Sequence, residues 1–194
     1  MNLPNKLTLL RVFLIPFFLL FMYIDIPFHY LLALLIFTAA SITDALDGKI
    51  ARSRNLVTNF GKFLDPLADK VLVISALAVF VEISEINIGA IPFIIICARE
   101  FMVSGLRLLA ADSGIVVAAG IWGKLKTAFT MIAIIASIVW LSVCYDFSFS
   151  IPQSIIEIVD SYIIPVLIWI STALTVISGA IYLKGYWHLI DADK

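Results

Sequence analysis

The sequence predicts an all-α integral membrane protein of six transmembrane helices with both termini in the cytoplasm. Three observations predict it. Mean hydropathy is +1.09, and 62% of the 194 residues are hydrophobic. Apolar runs recur at 12–24, 30–43, 71–81, 86–98, 127–145 and 162–183. All 13 Lys and Arg residues fall on one side of the six-span arrangement those runs define.

The first run contains Pro16, which marks a kink, and no small-residue cleavage site follows it directly, so it reads as a retained helix. Asn5, Thr8 and Arg11 precede it at helical spacing and either border a ligand site or anchor the chain at the membrane surface. Several runs are shorter than the roughly 20 residues that cross a hydrocarbon core. Each extends through its flanks: the second through Asp47, the third back to Asp65, the fourth on to Leu109. The connections 1–2, 3–4 and 5–6 carry acids alone (Asp25; Glu82 and Glu85; Asp146, Glu157 and Asp160). The positive-inside rule therefore places both termini and the 2–3 and 4–5 connections in the cytoplasm. Tyr23, Tyr30, Tyr145, Tyr162 and Trp187 form an interfacial aromatic belt. Cys97 and Cys144 fall at different depths, which argues against a disulfide, and His29 and His188 stand alone near membrane surfaces. Residues 1–194 read as a single membrane domain without repeats, and no nucleic-acid partner is expected.

Against this apolar background, residues 41–71 hold Asp44, Asp47, Asp65 and Asp69 with five basic residues. Asp44 and Asp47, three apart, share a helix face, as do Asp65 and Asp69, four apart. A short connection makes their helices antiparallel neighbours, so the two pairs meet at one depth. Helix capping explains part of the set: Asp65-Pro66 suits a helix start and Asp47-Gly48 a helix end. It leaves Asp44 and Asp69 unexplained, and acids at a helix C-terminus oppose the macrodipole. Four converging carboxylates require protons or cations. Their oxygens suit one or two hard divalent ions, Mg²⁺ or Mn²⁺, which commonly bridge carboxylates and substrate phosphates. Gly48 and Gly61 allow close approach to the backbone, and Arg52 can fork onto a phosphate. The pattern is that of a metal–pyrophosphate active site at the cytoplasmic membrane edge.

Asp44-x-x-Asp47-Gly48-x-x-Ala51-Arg52, eight residues, then Gly61-x-x-x-Asp65-x-x-x-Asp69, resembles the signature of the CDP-alcohol phosphotransferases. That resemblance implies transfer of a phosphatidyl group from a CDP-linked lipid to an alcohol with release of CMP. It implies Asp44, Asp47, Asp65 and Asp69 as metal ligands, with Asp69 also the general base. Gly48, Ala51, Arg52 and Gly61 would line the CDP site, bordered by Asn5 and Thr8. It further implies a homodimer in the cytoplasmic membrane.

The signature does not name the alcohol. Arg99 lies inside the fourth apolar run, where charge is costly and by default functional, with Arg107, Lys124 and Lys126 beyond it. Glu100 is adjacent but points elsewhere on a helix, so it is not expected to partner Arg99. Together with Arg11, these cations form a candidate site for a phosphate on the acceptor. "NLPNKLTLLR", "ARE" at 98–100, "SGLR" at 104–107 and "GKLKT" at 123–127 are similar to the branch of the family that uses glycerol 3-phosphate. Thr130 departs from that branch, where a glutamine is expected. CDP-diacylglycerol and glycerol 3-phosphate are thus the expected substrates, with another alcohol such as an inositol phosphate as the alternative. A membrane prenyltransferase also uses aspartates and Mg²⁺, but does not require Gly48-x-x-Ala51-Arg52. A divalent-cation transporter needs polar groups near the bilayer midplane, whereas these acids cluster at one edge.

Overall fold

A computed structural model describes residues 2–53, 59–86, 88–112, 115, 120–147, 149 and 151–187, with the side chains of 3–4, 45–53, 59–60, 62–63, 65 and 112 outside that description. The described residues are helical, with no strand among them. The long helices are α1 (Leu3–Tyr23), α2 (His29–Ser53), α3 (Asn59–Glu82), α4 (Ala90–Asp112) and α5 (Ile121–Leu141). A five-residue π-helical segment, Ser142–Asp146, extends α5. The short α6 (Gln153–Ile158) runs through a second π-helical segment, Val159–Ile163, into α7 (Ile164–Tyr186).

Among the described residues, three stretches are long and apolar enough to cross a membrane: Asn5–Tyr23, Ile121–Asp146 and Gln153–Tyr186. His29–Asp44, the part of α2 whose side chains are described, is apolar over a shorter length. Within its apolar run α4 carries Arg99, Glu100 and Arg107.

Local chemistry sets the helix ends. Asn2 caps α1, its Oδ1 accepting from Asn5 N at 3.2 Å, with Pro4 in the first turn, where a missing N–H costs nothing. The chain passes through Pro16 without leaving the helix. The start of α2 is satisfied from a distance: Asp146 accepts from Leu31 N at 2.7 Å and from Tyr30 N at 3.4 Å. A carboxylate there meets both the orphan N–H groups and the positive end of the dipole.

Two boundaries differ from those expected. Gly48 does not end α2, which continues to Ser53, and Asp65 does not start α3, which begins at Asn59 and carries Pro66 inside it. One interior glycine costs a helix only about 1 kcal/mol, a penalty tertiary context overrides. Asp44, Asp47, Gly48, Asp65 and Asp69 therefore lie inside helices, and capping no longer accounts for Asp47, Gly48 or Asp65.

The buried face of α1 is one stripe, Asn5, Thr8, Arg11, Ile15, Phe18 and Met22, spaced three or four apart. Its apolar half packs on Ala33, Phe37 and Ala40 of α2, with the Phe18 and Phe37 rings 5.5 Å apart. Leu72, Ala76, Leu77 and Phe80 of α3 join this core, as do Ile134 and Ile138 of α5 and Ile168 of α7. Between α5 and α7 the contact is made by small hydroxyls. Thr130, Thr172 and Thr175 each return a hydrogen bond to the carbonyl four residues back, and Thr130 Oγ1 meets Ser171 Oγ at 2.6 Å. Such residues let apolar helices approach closely without stranding polar groups. Outward faces remain greasy, as lipid contact requires: Phe13, Ile91, Phe101, Leu108 and Trp169 are all exposed.

Candidate active site

The polar half of the α1 stripe meets α2 at the first aspartate. Arg11 is fully buried, and its Nη1 lies 2.7 Å from Asp44 Oδ1, while the Asp44 side chain stays 43% exposed. A guanidinium held in the bundle thus orients a carboxylate whose outer part stays open to a ligand. On α3, Asp69 lies within electrostatic range of Asp44, Arg11, Lys70 and Glu100. Lys70 Nζ donates to Pro66 O at 3.0 Å along the same helix. Asp47, Gly48, Ala51 and Arg52 lie on α2, and Asp65 on α3, with side chains outside the described residues. Gly61 is buried.

A cavity of about 520 Å³ opens between α3, α4 and α5. Asp69 and Lys70 line it from α3, Arg99, Glu100 and Arg107 from α4, and Lys124 and Lys126 from α5. The candidate base and the four downstream cations singled out in the sequence thus share one space. Five cations face two acids there, an excess that selects for an anion. Arg11 does not line this cavity; it serves Asp44 instead.

Glu100 corrects an expectation. It was not expected to partner Arg99, yet its Oε1 lies 3.3 Å from Arg99 Nη1 and pairs with Lys126 as well. The side chain bends back across its helix because Lys126, buried on α5, needs a counter-charge there. Arg99 also donates from Nη2 to Ser178 Oγ at 2.6 Å. Its Nε is buried without a hydrogen-bond partner among the described residues.

Sequence reasoning missed α7. Tyr182 is buried, and its Oη accepts from Arg107 Nη2 at 3.2 Å and from Gly120 N at 3.1 Å. The guanidinium carbons of Arg99 and Arg107 each lie 5.6 Å from its ring centroid. The available signal was faint: polar-tipped residues four apart, Ser178 and Tyr182, in an otherwise apolar run.

A second cavity, of about 640 Å³, lies among Asp25, His29, Glu85 and Asp146, residues of the acid-only connections and the adjoining helix ends. Of these, Asp146 caps α2; outside the cavity lining, Glu82 accepts from Tyr23 Oη, and Asp160 accepts from Trp140 Nε1 at 2.6 Å. No group of three His, Cys, Asp or Glu side chains comes together to hold a metal among the described residues. At the signature, the donors in view, Asp44 and Asp69, are carboxylates within range of each other's charge, and they fit a hard divalent ion.

The described residues thus form a helical bundle with carboxylates and a cation-rich cavity at one end. Residues 1–178 match the family model for CDP-alcohol phosphatidyltransferase. The chain belongs to this family. It is 39% identical, over 100% of its own length and 99% of the relative's, to the CDP-diacylglycerol–glycerol-3-phosphate 3-phosphatidyltransferase of Bacillus subtilis strain 168. The protein of that name from Rickettsia bellii is 41% identical, with 95% of this chain and 94% of the relative covered. The one from Escherichia coli K12 is 43% identical over 72% of this chain and 77% of the relative.

Proposed function

We propose that this protein transfers the phosphatidyl group of CDP-diacylglycerol to glycerol 3-phosphate, yielding phosphatidylglycerophosphate and CMP. The observation that carries the reading is the cavity shared by Asp69 and the cations Arg99, Arg107, Lys124 and Lys126. An acceptor bearing its own phosphate needs such a pocket beside the base, whereas a neutral alcohol does not. The names of the relatives agree with that choice.

The steps assigned to this chain follow. Cations of the cavity hold the acceptor phosphate and bring its free hydroxyl to Asp69. Asp69 takes the hydroxyl proton as the oxygen bonds to the phosphorus bearing diacylglycerol. The bond from that phosphorus to the CMP oxygen breaks, and its electrons leave with CMP. Asn5, Thr8, Gly48, Ala51, Arg52 and Gly61 border the CDP moiety. Asp44, Asp47, Asp65 and Asp69 would hold one or two Mg²⁺ or Mn²⁺ ions, which neutralise charge on the pyrophosphate and the departing nucleotide.

In the same reading α1 to α5 and α7 all cross the cytoplasmic membrane. The signature and both termini face the cytoplasm, with acyl chains in lipid and CDP in water, and the enzyme works as a homodimer. The 13 cations on one side support this orientation. The experiment is an acceptor panel: CMP release from CDP-diacylglycerol with glycerol 3-phosphate, an inositol phosphate or serine offered in turn. Release with glycerol 3-phosphate alone is expected. Release with a different alcohol only would overturn the acceptor and keep the phosphatidyl transfer.

A further inference from the structure

We propose that α7 is the positioning element of the acceptor-phosphate site, and that Ser178, Gly179 and Tyr182 hold Arg99 and Arg107 in their phosphate-binding arrangement. The proposal rests on the reading of that cavity as the acceptor site. It goes beyond the signature, which ends at Asp69, more than a hundred residues earlier.

The three residues form one face of α7. Ser178, fully buried, receives the Nη2 hydrogen bond of Arg99 at 2.6 Å. Gly179 supplies room: a Cβ there would lie 3.1 Å from Arg99 Cγ and 3.3 Å from Met102 Cε, closer than packed carbons normally approach. Tyr182 presents its ring to both guanidinium groups at 5.6 Å and its Oη to Arg107 at 3.2 Å. The same Oη takes Gly120 N at 3.1 Å, which ties the chain entering α5 to α7.

Two arginines side by side repel, and each has many rotamers. Fixing both on one aromatic face offsets the repulsion through the ring quadrupole and removes the rotamer freedom a phosphate would otherwise have to quench. Arg99 and Arg107, so fixed, both line the cavity, and the Arg99 Nε is buried without a partner among the described residues. None of the α7 side chains lines the cavity, so they act through the arginines.

The test compares wild type, Tyr182→Phe, Tyr182→Leu and Ser178→Ala in two measurements. One is calorimetric binding of glycerol 3-phosphate and of inorganic phosphate to the purified full chain. The other is steady-state CMP release with each substrate varied in turn. Tyr182→Leu is expected to weaken both anions and raise KM for glycerol 3-phosphate about tenfold, through loss of ring and hydroxyl together. Tyr182→Phe and Ser178→Ala, which each remove one hydroxyl, are expected to raise it roughly threefold. KM for CDP-diacylglycerol and kcat stay within about twofold, a split that a merely structural loss would not give. Equal anion affinities in all four proteins, or kcat and both KM values worsening together, would overturn the proposal. If Tyr182→Leu does not fold, the two hydroxyl deletions decide. If wild type binds phosphate but releases no CMP with glycerol 3-phosphate, the acceptor reading fails, and the variants' phosphate affinities still decide the role of α7.

Discussion

Charge inside an apolar bundle is tolerated only where each ion has a partner or a task, and the residues at the signature end divide on that line. Arg11 is spent on Asp44. Lys126 pairs with Glu100, which also meets Arg99, and both still line the cavity. Asp69 faces the cavity beside Lys70 and four further cations. Asp69→Asn keeps shape and loses the base, so kcat for CMP release should fall at least about a hundredfold in a folded protein. Glu100→Gln should act on stability. It leaves buried Lys126 without its counter-charge, at a cost of roughly 3 kcal/mol, read as a lowered midpoint of thermal unfolding in detergent. An unchanged midpoint would mean that Lys126 finds another partner. Asp69 and the cations that share its cavity stood out in the sequence because charge in an apolar run is rare. The role of Glu100 was not, since neighbours in sequence diverge on an ideal helix and only the position of Lys126 on α5 draws that side chain back.

At the scale of elements, helix starts and packing stripes come from recognisable chemistry, and one start comes from far along the chain. Asp146 reaches the first turn of α2 from the end of α5. Asp146→Ala should destabilise by about 1 kcal/mol, while CMP release stays within about twofold because the cap lies away from the signature. A loss of turnover without a loss of stability would contradict that division of labour. The helices themselves were legible from apolar runs and the 3.6-residue period, as the α1 stripe illustrates. Their ends at the signature were not. Gly48 and Asp65-Pro66 carry strong local signals for an end and a start, and tertiary context carried both helices past them. The α7 face was hidden for the opposite reason: Ser178 and Tyr182 are ordinary in an apolar span until α4 brings two arginines against them.

The whole molecule is polarised. One end gathers carboxylates and a cation-rich cavity; the other uses its acids as caps and tethers. That polarity matches the distribution of the 13 cations, a whole-chain property that no single helix reveals. Orientation can be checked with single cysteines in a background lacking Cys97 and Cys144. Ser84→Cys should react with an impermeant maleimide in intact cells, and Ala111→Cys only after permeabilisation; the reverse pattern would invert the proposed topology. In the proposed function the polarised end joins a lipid phosphate to glycerol 3-phosphate. The most direct measurement of that step incubates the purified protein with CDP-diacylglycerol and labelled glycerol 3-phosphate and follows the label into the lipid phase. A run with chelator and a run with Asp69→Asn stand beside it. Label entering lipid with equal release of CMP, abolished by the chelator and by the substitution, is the result predicted. Label remaining in water while Mg²⁺ or Mn²⁺ is present and the protein is folded would contradict it.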